Sequence, residues 1–141
     1  MLGLIEKIYD AALEPDLWPE TSRVLKETLG FDKVGIAYTD PIKANLEVQS
    51  MHGWEENAPR SIKEHYGWIN PWMPWHLKNS KEGDVYVMEQ TLRPAEYEKT
   101  EYYNDFLIPH RVSNAAGICF SRRGINLGVI EFQREKSAPT L

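Results

Sequence analysis

The chain opens on apolar residues at helical spacing. In LIEKIYDAAL, Leu4, Ile5, Ile8, Tyr9, Ala12 and Leu13 fall on one side, and Glu6, Lys7 and Asp10 on the other. This predicts an amphipathic helix that Pro15 stops. Asp16 is placed to cap a second helix, with Pro19 in its first turn and Gly30 at its C-terminal end. The period then shortens to two. KVGIAYTD sets Val34, Ile36 and Tyr38 against smaller residues, and LEVQSMHG follows across a turn-rich DPIKAN, which predicts a hairpin. Pro59 to Tyr66 suits a short helix, GDVYVME a third strand, and Pro94 to Leu107 a helix with Tyr103, Phe106 and Leu107 on one side. VSNAAGICFS and NLGVIEFQRE form a last hairpin through RRGI. Strands are expected at roughly 33–39, 46–52, 84–88, 112–121 and 126–134. The fold class is α+β, a central antiparallel sheet of about five strands flanked by helices.

One stretch breaks the pattern. GWINPWMPWH, residues 67–76, carries three of the five tryptophans together with Pro71 and Pro74, and is expected to form a long loop over the sheet. Two readings apply to it. The tryptophans complete the core, or they wall a pocket in which Tyr66, Asn70 and His76 supply the polar groups. The pocket reading names Tyr38, Tyr66, Trp68, Asn70, Trp72, Trp75, Phe106 and Phe120 as ligand-binding candidates. It expects at least two of Trp68, Trp72 and Trp75 to face Tyr38, Phe120 and Phe106 across a space of ~300 Å³.

Length and charge narrow the function. A chain of 141 residues suits one domain, here 1–135, with 136–141 as a tail or the start of a linker. The net charge of −5 offers phosphate no long-range attraction, and Arg122-Arg123 is the one adjacent basic pair. No apolar run reaches the ~20 residues that span a bilayer. The lone Cys119 reads as a buried small hydrophobe in a cytoplasmic protein. His52, His65, His76 and His110 lie on separate elements without ligand spacing, so neither metal nor cofactor is expected. No nucleophile elbow, phosphate loop or zinc-protease motif occurs, and the Asp105/His110 pair reads more simply with Asp105 on a helix surface. An enzyme is therefore not expected.

Three segments carry a resemblance. Ile8-Tyr9-Asp10-Ala11-Ala12-Leu13 through Trp18-Pro19, Asn70-Pro71-Trp72, and Glu101-Tyr102-Tyr103-Asn104-Asp105-Phe106-Leu107-Ile108-Pro109 resemble the N-terminal sensor domains of LuxR-type transcriptional regulators over nearly the whole chain. The resemblance implies a PAS- or GAF-like fold with a small-molecule pocket on one face of the sheet, and possible homodimers. It also implies DNA contact only through a helix-turn-helix, which the six residues after Glu135 do not supply. Asn70 stands where the family usually has Asp, which in the acyl-homoserine-lactone receptors accepts a hydrogen bond from the ligand amide. Asn accepts one without charge, so the resemblance implies a ligand but not that lactone. Two alternatives remain open: a ligand-free structural dimerisation module, and a small α+β enzyme of the cyclase or isomerase type. The helices falling between strands two, three and four argue against the second.

Overall fold

The computed structural model describes residues 2–136. Five strands, β1 (Lys33–Asp40), β2 (Asn45–His52), β3 (Val85–Val87), β4 (Val112–Arg123) and β5 (Asn126–Glu135), each lie within two residues of their expected positions. The two hairpins form as the turn residues dictate, and β1 then pairs with β5. The sheet order is β2-β1-β5-β4-β3, antiparallel throughout, with β5 at its centre. Among the described residues, no helix is long and apolar enough to cross a membrane.

One face of the sheet packs on α1 (Leu2–Leu13) and α2 (Trp18–Leu29). Val34, Ile36, Ile130 and Phe132 project from the strands against Ile8, Ala11, Trp18 and Leu25. Trp18 lies 4.9 Å from the Phe120 ring and donates its indole N–H to the Tyr38 hydroxyl at 3.2 Å. The structure corrects two expectations here. The apolar stripe of α1 is wider than the surface it covers: Ile8 and Ala11 are buried, whereas Ile5, Tyr9 and Leu13 are exposed. Asp16 does not cap α2, because Pro15–Leu17 forms a 3-10 turn that runs straight into the helix and leaves Leu17 at the cap position. Gly30 closes α2 with a left-handed φ of 75°, which glycine tolerates best.

The opposite face is covered by the segment between β2 and β4. It contains α3 (Ala58–Ser61), a wide π-helical turn (Ile62–Tyr66), α4 (Gly67–Ile69), α5 (Trp72–Asn79), α6 (Pro94–Tyr97) and a second π turn (Tyr102–Leu107). The tryptophan stretch is therefore helical rather than a loop. Pro71 sits at the N-cap of α5 and Pro74 in its first turn, where no intrahelical N–H is required. Asn70 starts that helix: its side-chain oxygen accepts the Trp72 N–H at 2.9 Å, and its carbonyl accepts the Met73 N–H at 3.0 Å. At the other end, the Arg122 guanidinium donates to the carbonyls of His76 (3.0 Å), Leu77 (2.9 Å) and Ser80 (3.0 Å), a cation on the negative end of the helix dipole. This ties α5 to β4. The helix expected over Pro94 to Leu107 is also broken, into α6 and the second π turn. Apart from Lys136, the tail expected over 136–141 lies outside the described residues.

Candidate functional site

Between the sheet and the crossover segment lies a cavity of about 130 Å³. It forms on the face where β1 presents Gly35, Ala37 and Thr39 rather than Val34, Ile36 and Tyr38. Small side chains leave space that bulky ones on the other face fill. Leu46, Val48 and Met51 of β2 close one side, and Ile62, Met73, Tyr102, Phe106 and Leu107 of the crossover form the roof. Phe106 is the hub of the roof: its ring lies 5.7 Å from Trp54, 5.0 Å from Tyr66 and 5.3 Å from Tyr102.

The floor is polar at its centre. Leu127, Val129, Glu131 and Gln133 alternate along β5 and face the cavity, with Glu131 between Gly35 and Gly117 on the neighbouring strands. Gly117 lets the Tyr86 phenol lie flat on the sheet, since a Cβ there would stand 2.5 Å from the phenol oxygen. Tyr86 donates a hydrogen bond to one Glu131 oxygen, and the Gln133 amide N–H donates to the other at 3.0 Å. Burial pushes the Glu131 carboxyl above the ordinary carboxylate range, against the lowering effect of those two donors. The same burial raises the Tyr86 and Tyr102 phenols, and the nearby Glu131 charge adds to it. The Gln133 carbonyl oxygen and the Trp54 indole N–H are buried without a partner.

His76 completes the lining from α5. It shares a hydrogen bond of 2.7 Å between Nδ1 and the Ser80 hydroxyl, and its ring stands 4.6 Å from that of Tyr86. Burial, with a smaller push from Arg122, pulls it from the ordinary 6.5 down to about 4. Between those values the unfolded chain holds a proton that the folded one excludes, so stability falls as pH drops from 6.5 toward 4 and this group has no effect above that window. The expected loss is about 2 kcal/mol between pH 7 and pH 5. Urea titrations at the two pH values should show it in the wild type and show a shallower pH slope in His76→Gln. Equal slopes would count against a buried neutral imidazole.

The structure separates the residues expected to line a pocket. Asn70 and Phe106 reach the cavity. Tyr38 and Phe120 do not, because strand parity turns them to the α1–α2 face, where they meet edge to face at 5.2 Å. Both border instead an open groove of about 620 Å³ at the end of the sheet, where Tyr9, Ala12, Leu13, Tyr38 and Phe120 are rimmed by Asp40, Glu47, Glu82 and Arg123. Trp72 is buried, but in the core beside the cavity: it donates to Thr91 Oγ1 at 2.8 Å and packs on Tyr97 at 5.0 Å. Trp68 is 38% exposed and donates to the Lys63 carbonyl at 3.0 Å, while Trp75 packs on His76 and Tyr86 from behind. Tyr66 supports Phe106 from outside the lining. Neither the expected pairing of two tryptophans with Tyr38 and Phe120 nor the ~300 Å³ space is what the fold contains. Trp54, Met51, Met73, Tyr86, Tyr102, Glu131 and Gln133 line the cavity and were not among the candidates. The signal for Glu131 and Gln133 was the strand alternation itself, which on an edge or one-sided sheet would have put them in solvent.

No protein-family model and no curated protein matches the sequence. Solved structures do. The VqsR LBD domain from Pseudomonas aeruginosa superposes with a TM-score of 0.70 at 17% identity, over 96% of this chain and 80% of that one. SdiA from Escherichia coli matches with a TM-score of 0.56 at 12% identity, over 84% of this chain and 48% of its own. The GAF domain/HD domain protein from Geobacter sulfurreducens gives 0.53 at 11% identity, over 85% and 74%. At such identities the likeness is one of fold, and the chain has an α+β, PAS/GAF-like architecture.

Proposed function

We propose that this chain is the small-molecule-sensing domain of a LuxR-type transcriptional regulator, with its ligand held between the sheet and the crossover segment. The observation that carries this reading is the cavity itself, an apolar chamber with a half-buried carboxylate and two unpartnered polar atoms at its wall. In this reading the site binds and does not catalyse. A ligand there would touch central β5 and the crossover helices together, so it would favour whichever spacing of the two layers fits it best. Any contact with DNA would come through a helix-turn-helix outside this chain, in the cytoplasm.

The test is retention of a small molecule. Native mass spectrometry of protein purified under mild conditions should show an adduct, and Ala37→Phe, which fills the cavity from β1, should lack it while remaining folded. A wild type with no adduct that no small-molecule library stabilises, or an adduct that persists in Ala37→Phe, would sink the reading.

Self-association is part of the same proposal. Ile5, Tyr9 and Leu13 form an exposed apolar row along α1, and Leu13 is 83% exposed. Sedimentation velocity should give a dimer for the wild type and a shift to monomer for Leu13→Glu. Monomer alone at high micromolar concentration would remove this part and leave the ligand reading standing.

A further inference from the structure

The polar groups of the cavity do not balance. Glu131 offers two oxygens and about four lone-pair sites, of which Tyr86 and Gln133 fill two. The Gln133 carbonyl oxygen is buried with no donor, on a residue only 5% exposed. Exchanging its amide nitrogen and oxygen would not help, because two oxygens would then face each other across the 3.0 Å contact with the Glu131 carboxylate. Donors stand on the same lining: the unpartnered Trp54 N–H, the Asn70 amide and the His76 ring, with the Thr39 and Tyr102 hydroxyls able to take either role. Among the described residues no ion pair includes Glu131. At this end Lys33 is held by the Gly53 carbonyl at 2.9 Å and by Glu135 at 3.1 Å. The chamber therefore holds a carboxylate with no cationic partner beside a Gln133 oxygen with no donor, the reverse of what a carboxylate or phosphate ligand would require.

Resting on the sensing role proposed above, we infer that the ligand class is a small organic cation with N–H donors, a primary amine or amidine on one ring or short apolar body. Its nitrogen would bridge Glu131 and the Gln133 carbonyl oxygen, giving the carboxylate its missing counter-charge. Its body would lie beneath Phe106 and Tyr102, where aromatic faces also favour a cation. Size agrees: the cavity of about 130 Å³ is close to the ~150 Å³ at which an apolar cavity holds a benzene ring. Met51 and Met73 at its wall are unbranched and can shift to admit a one- or two-atom substituent.

Three probes of nearly equal shape test the class: benzylamine, protonated at neutral pH, benzyl alcohol and benzoate. Isothermal titration calorimetry on the whole chain should find benzylamine bound about tenfold or more tightly than benzyl alcohol, with benzoate weakest. Glu131→Gln should bring benzylamine down to the level of benzyl alcohol. Equal or tighter binding of benzyl alcohol or benzoate by the wild type would overturn the class while leaving the cavity reading intact, and this comparison needs no variant. An amine preference that survives Glu131→Gln would remove Glu131 from the role. Failure of all three probes to bind would overturn the class, while the adduct test above decides the sensing reading separately.

Discussion

Trp72→Ala is expected to destabilise the fold by about 3–5 kcal/mol, the largest loss among the three tryptophans of the 67–76 stretch. The indole is 4% exposed, lies between Tyr97 and Tyr102, and satisfies its N–H on Thr91. Truncation would leave a hole beside Tyr97, Tyr102 and Met88, and would leave the Thr91 hydroxyl, which already donates to the Met88 carbonyl at 2.6 Å, without its second partner. Trp68→Ala removes a half-exposed ring bound only to a backbone carbonyl, and is expected to cost less than about 1 kcal/mol. Urea unfolding followed by far-UV circular dichroism compares the two without relying on tryptophan fluorescence. A Trp72→Ala loss below about 1 kcal/mol would mean that the residue does not organise the core. Because Trp72 stands beside the cavity rather than in its lining, ligand affinity per folded molecule should change little.

The contrast between these tryptophans shows where sequence reading stops. Strand positions were readable because period-two patterning and turn residues act locally: DPIKAN and RRGI close their hairpins whatever the rest of the chain does. That β1 pairs with β5 is a non-local fact. It puts a strand on each side of β5, and the crossover segment over that face makes Glu131, which alternates like a solvated strand residue, part of a chamber wall. The same limit explains Tyr38 and Phe120. Alternation tells which residues share a face, but with both faces covered it does not tell which face is hollow. A usable clue lay in the partners of Val34, Ile36 and Tyr38: Gly35, Ala37 and Thr39 are too small to fill a layer. Helix formation through GWINPWMPWH was hidden by its prolines, which break a helix in its interior and are tolerated at a cap and in a first turn. The motif around Tyr102 and Phe106 carried the resemblance and offered Phe106 alone as a candidate; Tyr102 also lines the cavity, on backbone that widens into a π turn rather than a regular helix.

Gly117→Ala is expected to cost about 2–4 kcal/mol, although alanine in an ordinary strand position is normally no worse than glycine. The cause is space and not backbone strain, since Gly117 is not among the glycines with positive φ. A Cβ at this position would stand 2.5 Å from the Tyr86 oxygen, 2.6 Å from Cζ and 2.7 Å from Cε1, so the phenol must lift off the sheet. Lifting it overpacks the chamber and takes from Glu131 one of its two donors. The substitution should therefore weaken the fold and the polar centre together. Removing the clashing ring isolates the effect: in a Tyr86→Leu background the three offending atoms are gone, and Gly117→Ala should then cost less than about 1 kcal/mol. Urea unfolding of the four proteins in this cycle measures the coupling. The same cost in both backgrounds would mean that Gly117 does not serve to seat Tyr86 against Glu131, and a coupling of about 2 kcal/mol would show that the glycine is there to let the phenol reach the carboxylate.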